Sequence, residues 1–153
     1  IKDYYISGEL QFEGISTNST EPINLNGKAK YYHKNGKLKS KAFFKSGKLE
    51  GPFIAYFPDG SLEVKTNYSE GEFDGELLKY SRPGKLQYKL NYKKGVMNGK
   101  YEFFNYNNKL LNQGTTDNGN KSGACKDYYY QGELRCVYTI KNQIKLRFHT
   151  AEN

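Results

Sequence analysis

The chain has 153 residues, enough for one domain, and 36% of them are hydrophobic while 16% are aromatic, with 15 Tyr, 9 Phe and no Trp. That ring content excludes a disordered chain, which is depleted in aromatic and β-branched residues, and no stretch approaches the ~20 apolar residues of a membrane-spanning helix. The formal charge of +8 is patchy, running −3 over residues 1–26, +7 over 27–50, −4 over 51–74, +5 over 75–98, +1 over 99–122 and +2 over 123–153; a phosphate-tracking groove needs a continuous basic stripe, so the pattern argues against a nucleic-acid partner.

Residues 1–26 read as a degenerate first unit, in which YYISGEL at 4–10 echoes YYYQGEL at 128–134. The polar stretch 15–24, with Ser16 to Thr20 followed by Glu21-Pro22, has loop composition. The chain opens on Ile1 rather than Met, which leaves a removed leader open.

From Gly27 a strict period of 24 begins, with units 27–50, 51–74, 75–98, 99–122 and 123–146 opened by Gly27, Gly51, Gly75, Gly99 and Gly123. Five residues after each opening glycine stands a ring (Tyr32, Tyr56, Tyr80, Phe104, Tyr128), and eleven after it a leucine (Leu38, Leu62, Leu86, Leu110, Leu134). Nine after it comes a turn residue (Gly36, Gly60, Gly84, Asn108, Gly132), and twenty after it a second glycine that fails only at Gln143. Glycine and asparagine adopt the positive φ that tight hairpins require, so each unit contains two turns. The segments between them have strand length and strand composition. The pattern predicts an all-β, single-layer, elongated antiparallel β-hairpin solenoid without significant helix, about 50 Å long for five units at ~4.8 Å per strand. Residues 147–153, RFHTAEN, read as a C-terminal tail, and the whole of 1–153 as one repeat domain with atypical ends.

One feature of strand parity stays open. The small or apolar position two after each glycine (Ala29, Phe53, Leu77, Tyr101, Cys125) and the ring five after it fall on opposite faces of a regular strand. Either a β-bulge reconciles them or the sheet carries rings on both faces. The same ambiguity governs Cys125 and Cys136, which could form a disulfide across the last hairpin or remain free thiols. A two-residue turn puts them on one face, and a three-residue turn on opposite faces. A disulfide would favour a cell-envelope or secreted setting over the cytoplasm.

The pattern of Gly, four residues, Tyr, three residues, Gly-x-Leu, five residues, Tyr, two residues, Gly resembles the MORN-type repeat, specifically the bacterial variant of YwqK-family antitoxins. The units at 27–51 and 51–75 match it best, and the resemblance covers residues 27–146. It implies an interaction scaffold, in some members an antitoxin or immunity protein encoded beside a toxin, and it supplies no catalytic motif.

The residues agree that chemistry is not the function. His33 lacks a Ser, Cys or Asp partner in any known signature and His149 lies in the tail, so both read as solvated. Two cysteines 11 apart with two distant histidines suit no zinc site. Glu63, Glu70, Glu72 and Asp74 read as a solvated acidic edge rather than a metal cluster. The sequons at Asn18 and Asn67 carry little weight in an Asn-rich chain. No metal and no cofactor is expected.

Surface remains. The position six after each opening glycine varies (His33, Phe57, Ser81, Asn105, Tyr129), which suits recognition, although such residues also serve as cross-strand partners. Tyr128, Tyr129 and Tyr130 with Arg135 form the most binding-like group, since Tyr and Arg dominate interface hot spots. The expectation is a protein-binding module that neutralises a toxin as an immunity or antitoxin-like protein. The alternative is an envelope scaffold contacting a polysaccharide through its rings or a membrane surface through its Lys-rich units.

Overall fold

The computed structural model describes residues 1–17, 24–141 and 143–150, the last four of these as backbone. Its strands in chain order are β1 (Lys2–Tyr4), β2 (Leu10–Ser16), β3 (Leu25–Tyr32), β4 (Leu38–Lys45), β5 (Lys48–Leu49), β6 (Gly51–Tyr56), β7 (Leu62–Ser69), β8 (Glu72–Phe73), β9 (Gly75–Ser81), β10 (Lys85–Lys93), β11 (Val96–Phe104), β12 (Leu110–Asp117), β13 (Asn120–Tyr128), β14 (Leu134–Lys141) and β15 (Ile144–Thr150). All belong to one antiparallel sheet in which chain order is spatial order, with β5 and β8 forming short lead-ins to β6 and β9 against the same neighbours. This is the expected hairpin solenoid.

Its ends differ in detail from the sequence reading. Ile15 and Ser16 belong to β2 rather than to a loop, and Thr17 donates its amide to the Asn24 carbonyl. The rest of that loop, with the Asn18 sequon, lies outside the described residues. The backbone of 147–150 is not a tail but continues β15, placing Arg147 opposite Tyr138 and Thr150 opposite Cys136.

The two turns of each unit close differently. The second is a two-residue turn with positive φ at both positions, as at Ser46 (49°) and Gly47 (77°) or Asn118 (47°) and Gly119 (81°), the geometry that matches strand twist. Gln143 still adopts φ 62° and Lys141 still pairs with Ile144, so this turn outlives its glycine. Each second-turn glycine also stitches its unit to the previous one: the amides of Gly47, Gly71, Gly95 and Gly119 donate to the carbonyls of Leu25, Leu49, Phe73 and Met97 at 2.8–2.9 Å.

The first turn is wider. In unit one the His33 amide donates to the Lys37 carbonyl and the Gly36 amide to the His33 carbonyl, both at 2.8 Å, and the pair of bonds recurs at Phe57, Asn105 and Tyr129. Immediately after it every unit has a bulge. Tyr32 opposes Leu38 but Tyr31 opposes Ser40, leaving Lys39 unpaired, and Glu63, Gln87, Leu111 and Arg135 are skipped in the same way. The extra residue sits on the second strand, so alternation along the first strand survives. The open question of parity therefore resolves as a two-faced sheet, since no bulge falls between the two positions to bring them onto one face. Lys30 and Tyr32 both reach Glu13 on one face, while Ala29 is buried on the other.

The first face holds the core. Gly14 opposes Ala29 and Ala29 opposes Ala42; Phe53 opposes Thr66; Leu77, Leu90, Tyr101 and Gly114 follow in register; and Cys125 opposes Tyr138. A single layer cannot bury this row against a second sheet, so flanking rings roof it. Phe53, Tyr68, Phe73 and Tyr92 run in contact at centroid distances of 5.7, 4.8 and 5.2 Å, and Tyr88, Phe103 and Tyr101 continue at 5.9 and 5.8 Å. Lys121 and Lys145 add cations 5.0 Å and 3.7 Å from the ring centroids of Tyr101 and Tyr138. Under this cover Tyr101 is 1% exposed and Cys125 is fully buried.

The bulge also decides the cysteines. The three-residue turn would separate them, but the skipped Arg135 returns Cys136 to the face of Cys125 as a diagonal neighbour, opposite Asp127. Both thiols are free and buried; Tyr101 donates to Cys125 Sγ at 3.5 Å, and Cys136 Sγ lies 3.6 Å from Asp127 Oδ2. Diagonal partners sit ~7–8 Å apart, at or beyond the reach of an unstrained disulfide.

Three outcomes follow from this core. A methyl group at Gly114 would lie 2.7 Å from both Cys125 Sγ and the Tyr101 hydroxyl, so Gly114→Ala is expected to cost about 1–3 kcal/mol in urea unfolding. The Thr66 hydroxyl is buried without a hydrogen-bond partner, so Thr66→Val is expected to raise stability by about 1 kcal/mol in the same assay. Burial raises the phenol pKa of Tyr31, Tyr68, Tyr92, Tyr101 and Tyr138 above its ordinary value, Tyr101 furthest. Their neutral forms stabilise the fold below the unfolded pKa of about 10, and that stability is lost as pH rises through it toward the folded values. Melting temperature should fall above pH ~10, and Tyr101→Phe should make the fall shallower.

Candidate binding edge along the first turns

The six candidate residues all lie along or beside the edge formed by the first turns, and the turn geometry explains why. Position six is the residue whose amide and carbonyl close the turn, so its side chain is held at the sheet margin. The three-residue loop after it then projects outward.

His33 and Phe57 occupy this position in adjacent units and both are half-buried. His33 Nε2 lies 2.8 Å from the Tyr56 carbonyl of the next unit. Phe57 takes the Arg82 guanidinium over its ring at 4.9 Å and the Lys79 ammonium at 5.9 Å. Asn105, which sequence reasoning placed in the same row without singling it out, is buried and does the same work with more bonds. Its Nδ2 donates to the Tyr130 carbonyl at 2.5 Å while its Oδ1 accepts the amides of Asn107 and Lys109, each at 2.9 Å. In these units the row is a stitch between neighbouring turns, which is the cross-strand role weighed against recognition.

Tyr129 differs. It is 52% exposed and Tyr130 55% exposed, side by side on the hairpin tip. Tyr128 lies on the second face, half-buried, its hydroxyl accepting from Gln113 Nε2 at 2.5 Å. Arg135 is the exposed bulge residue of the same hairpin. The structure thus brings Tyr128, Tyr129, Tyr130 and Arg135 onto one hairpin, and holds His33 and Phe57 in a second group. Eight strand spacings separate His33 from Tyr129, about 38 Å, so the two groups form no common pocket.

The electrostatics are local. Glu13 has its carboxyl pKa lowered, first by the Lys30 ammonium and then by the Tyr32 hydroxyl, and Lys30 is raised in return. Of the acidic edge, Glu63 binds Lys79 at 2.8 Å and Asp74 accepts the Lys94 amide at 3.4 Å. No group of three or more His, Cys, Asp or Glu able to hold a metal occurs among the described residues.

Residues 25–46, 49–70 and 73–94 match the family model of the MORN repeat variant. Such repeats are generally non-catalytic modules that mediate protein or membrane interactions, and a binding role for this chain agrees with them. The three matched MORN-like units carry a ring seventeen residues after the opening glycine (Phe44, Tyr68, Tyr92), where the next two carry Thr116 and Ile140. Those two units nevertheless keep the same turns and bulges. No curated protein matches the chain.

Proposed function

We propose that the chain is a protein-binding module of the immunity or antitoxin type, which masks a toxin through the hairpin carrying Tyr128, Tyr129, Tyr130 and Arg135, with His33 and Phe57 at the far margin of the same edge. The observation that carries this reading is the pair of exposed rings at Tyr129 and Tyr130 on a tip whose backbone is clamped by Asn105. Two aromatic side chains held on a rigid support lose little freedom on binding, which is how a small patch supplies most of an interface's energy. Arg135 on the same hairpin offers a planar donor for a carboxylate.

The test is capture from a lysate of the native organism. The wild-type chain should retain one protein that arrests growth when expressed alone and is harmless when co-expressed with this chain. Tyr129→Ala/Tyr130→Ala should weaken capture at least ~10-fold, the loss expected of a hot spot. Recovery of glycans or lipids alone would overturn the reading.

A further inference from the structure

We propose that the second face of the first two MORN-like units is a docking groove for an extended acidic segment of a partner protein that also carries an apolar side chain. This rests on the protein-binding reading and assigns it a second contact surface, away from the tyrosine hairpin.

The argument begins with a row that crosses the sheet. Glu13, Lys30, Lys41, Ile54, Lys65, Leu78, Lys89 and Glu102 oppose one another in unbroken register on successive strands. At the Lys89 end the lattice neutralises its charge: Lys89 lies 3.7 Å from both Glu76 and Glu102. Glu102 stands three residues after its opening glycine. The same position opposite Lys41 is Ile54, and opposite Lys65 it is Leu78. The sheet has a place for a carboxylate beside each lysine and fills it with an apolar residue in these two units.

The result is positive charge without a carboxylate, Lys41 having only the Tyr56 ring, its centroid 5.9 Å away. Lys30 is bound to Glu13 at 2.7 Å, yet it also stands directly opposite Lys41, and like charges in that relation destabilise a sheet. Among the described residues Lys28, Lys41 and Lys65 meet no carboxylate. A like-charge pairing that costs stability and has no carboxylate to offset it marks a place where an outside carboxylate can supply one.

Apolar surface accompanies the charge. Phe43, directly opposite Lys28, is 40% exposed, and Ile15 is 59% exposed. Phe43 and Pro52 line a groove of about 490 Å³ with Lys28, Lys30 and Lys41. A second groove of about 350 Å³ holds Ile15 on the other side of Lys28 and Lys30. Of the carboxylates in these grooves, Glu50 accepts the Glu70 amide and Glu13 holds Lys30 and Tyr32, so neither reaches Lys28 or Lys41.

Geometry then selects the occupant. The surrounding strands are paired on both sides, so an incoming chain adds no strand and must be read through side chains. From Lys41 to Lys65 is two strand spacings, about 9.6 Å, which an extended segment in polyproline II geometry spans with carboxylates three residues apart on one side at ~3.1 Å each. The basic run ends at Glu13 on one side and Glu102 on the other, too short to track a polyanion such as nucleic acid. A recess among lysines receives an apolar side chain, whereas a bilayer is entered by apolar groups that project beyond their cations.

The test uses a fluorescein-labelled dodecapeptide of Glu and Asp with one central Phe, followed by anisotropy at 50 and 200 mM salt. Binding should weaken as salt rises. Lys41→Glu/Lys65→Glu should weaken it at least 10-fold, Phe43→Ser several-fold at the higher salt, and Lys93→Glu/Lys94→Glu, an equal charge change at a second turn, less than twofold. Circular dichroism confirms that each variant is folded. Absence of binding, an equal loss in the Lys93/Lys94 control, or tighter and equally variant-sensitive binding to vesicles with 30% anionic lipid would overturn the groove assignment. If Lys41→Glu/Lys65→Glu still captures the lysate partner at full strength, the groove assignment falls while the protein-binding reading stands.

Discussion

The constraint on which this fold depends is that a sheet one layer thick has nothing to pack against. It solves this within the layer: a central row runs across the strands, in which small residues such as Ala29 and Ala42 alternate with rings such as Phe53 and Tyr101, and rings from the rows on either side lean over it. That explains why the chain can be poor in aliphatic residues and rich in Tyr. A ring reaches across a strand spacing to cover its neighbour, and a phenol at the outer margin keeps its hydroxyl in water. It also explains why Gly14 and Gly114 stand in the row at places where a ring lies over the backbone, Phe12 over the first and Tyr101 over the second.

The period, the two turns and the all-β class were legible because each rests on local chemistry that a sequence displays directly: glycine at positive φ, rings and leucines at fixed spacing. The bulge was not. Lys39, Glu63, Gln87, Leu111 and Arg135 share no side-chain type, because a bulged residue is selected by what the backbone skips and not by what its side chain touches. Missing it left the face of Cys136 undecided, since face assignment after a hairpin depends on turn length and bulge together. The end of β15 was misread for a related reason. Arg147 occupies an opening-glycine position, and the strand forms there through pairing with β14 without that glycine.

The candidate edge was legible in location but not in role. Variation at position six looks like recognition when read down a column of repeats. In the structure His33, Phe57 and Asn105 vary because each meets a different neighbour: a carbonyl, a pair of cations, and a hairpin tip. Only where the side chain turns to solvent, at Tyr129, does the same position become available to a partner. A column of repeats records the lattice position and cannot distinguish these cases.

Charge follows the same logic. Blocks of alternating sign follow one another along the chain, yet the ion pairs among the described residues are few and set by register, as at Lys30 with Glu13, Lys79 with Glu63 and Lys89 between two glutamates. Because the lattice repeats, a charge left unmatched in one unit can be judged against the same position matched in another. Lys41 and Lys89 are equivalent by spacing, and only the second has its carboxylate across the strand. That internal comparison separates a solvated lysine from one whose partner has been withheld. A repeat protein therefore permits a kind of inference that an irregular fold does not: each unit serves as the control for the next.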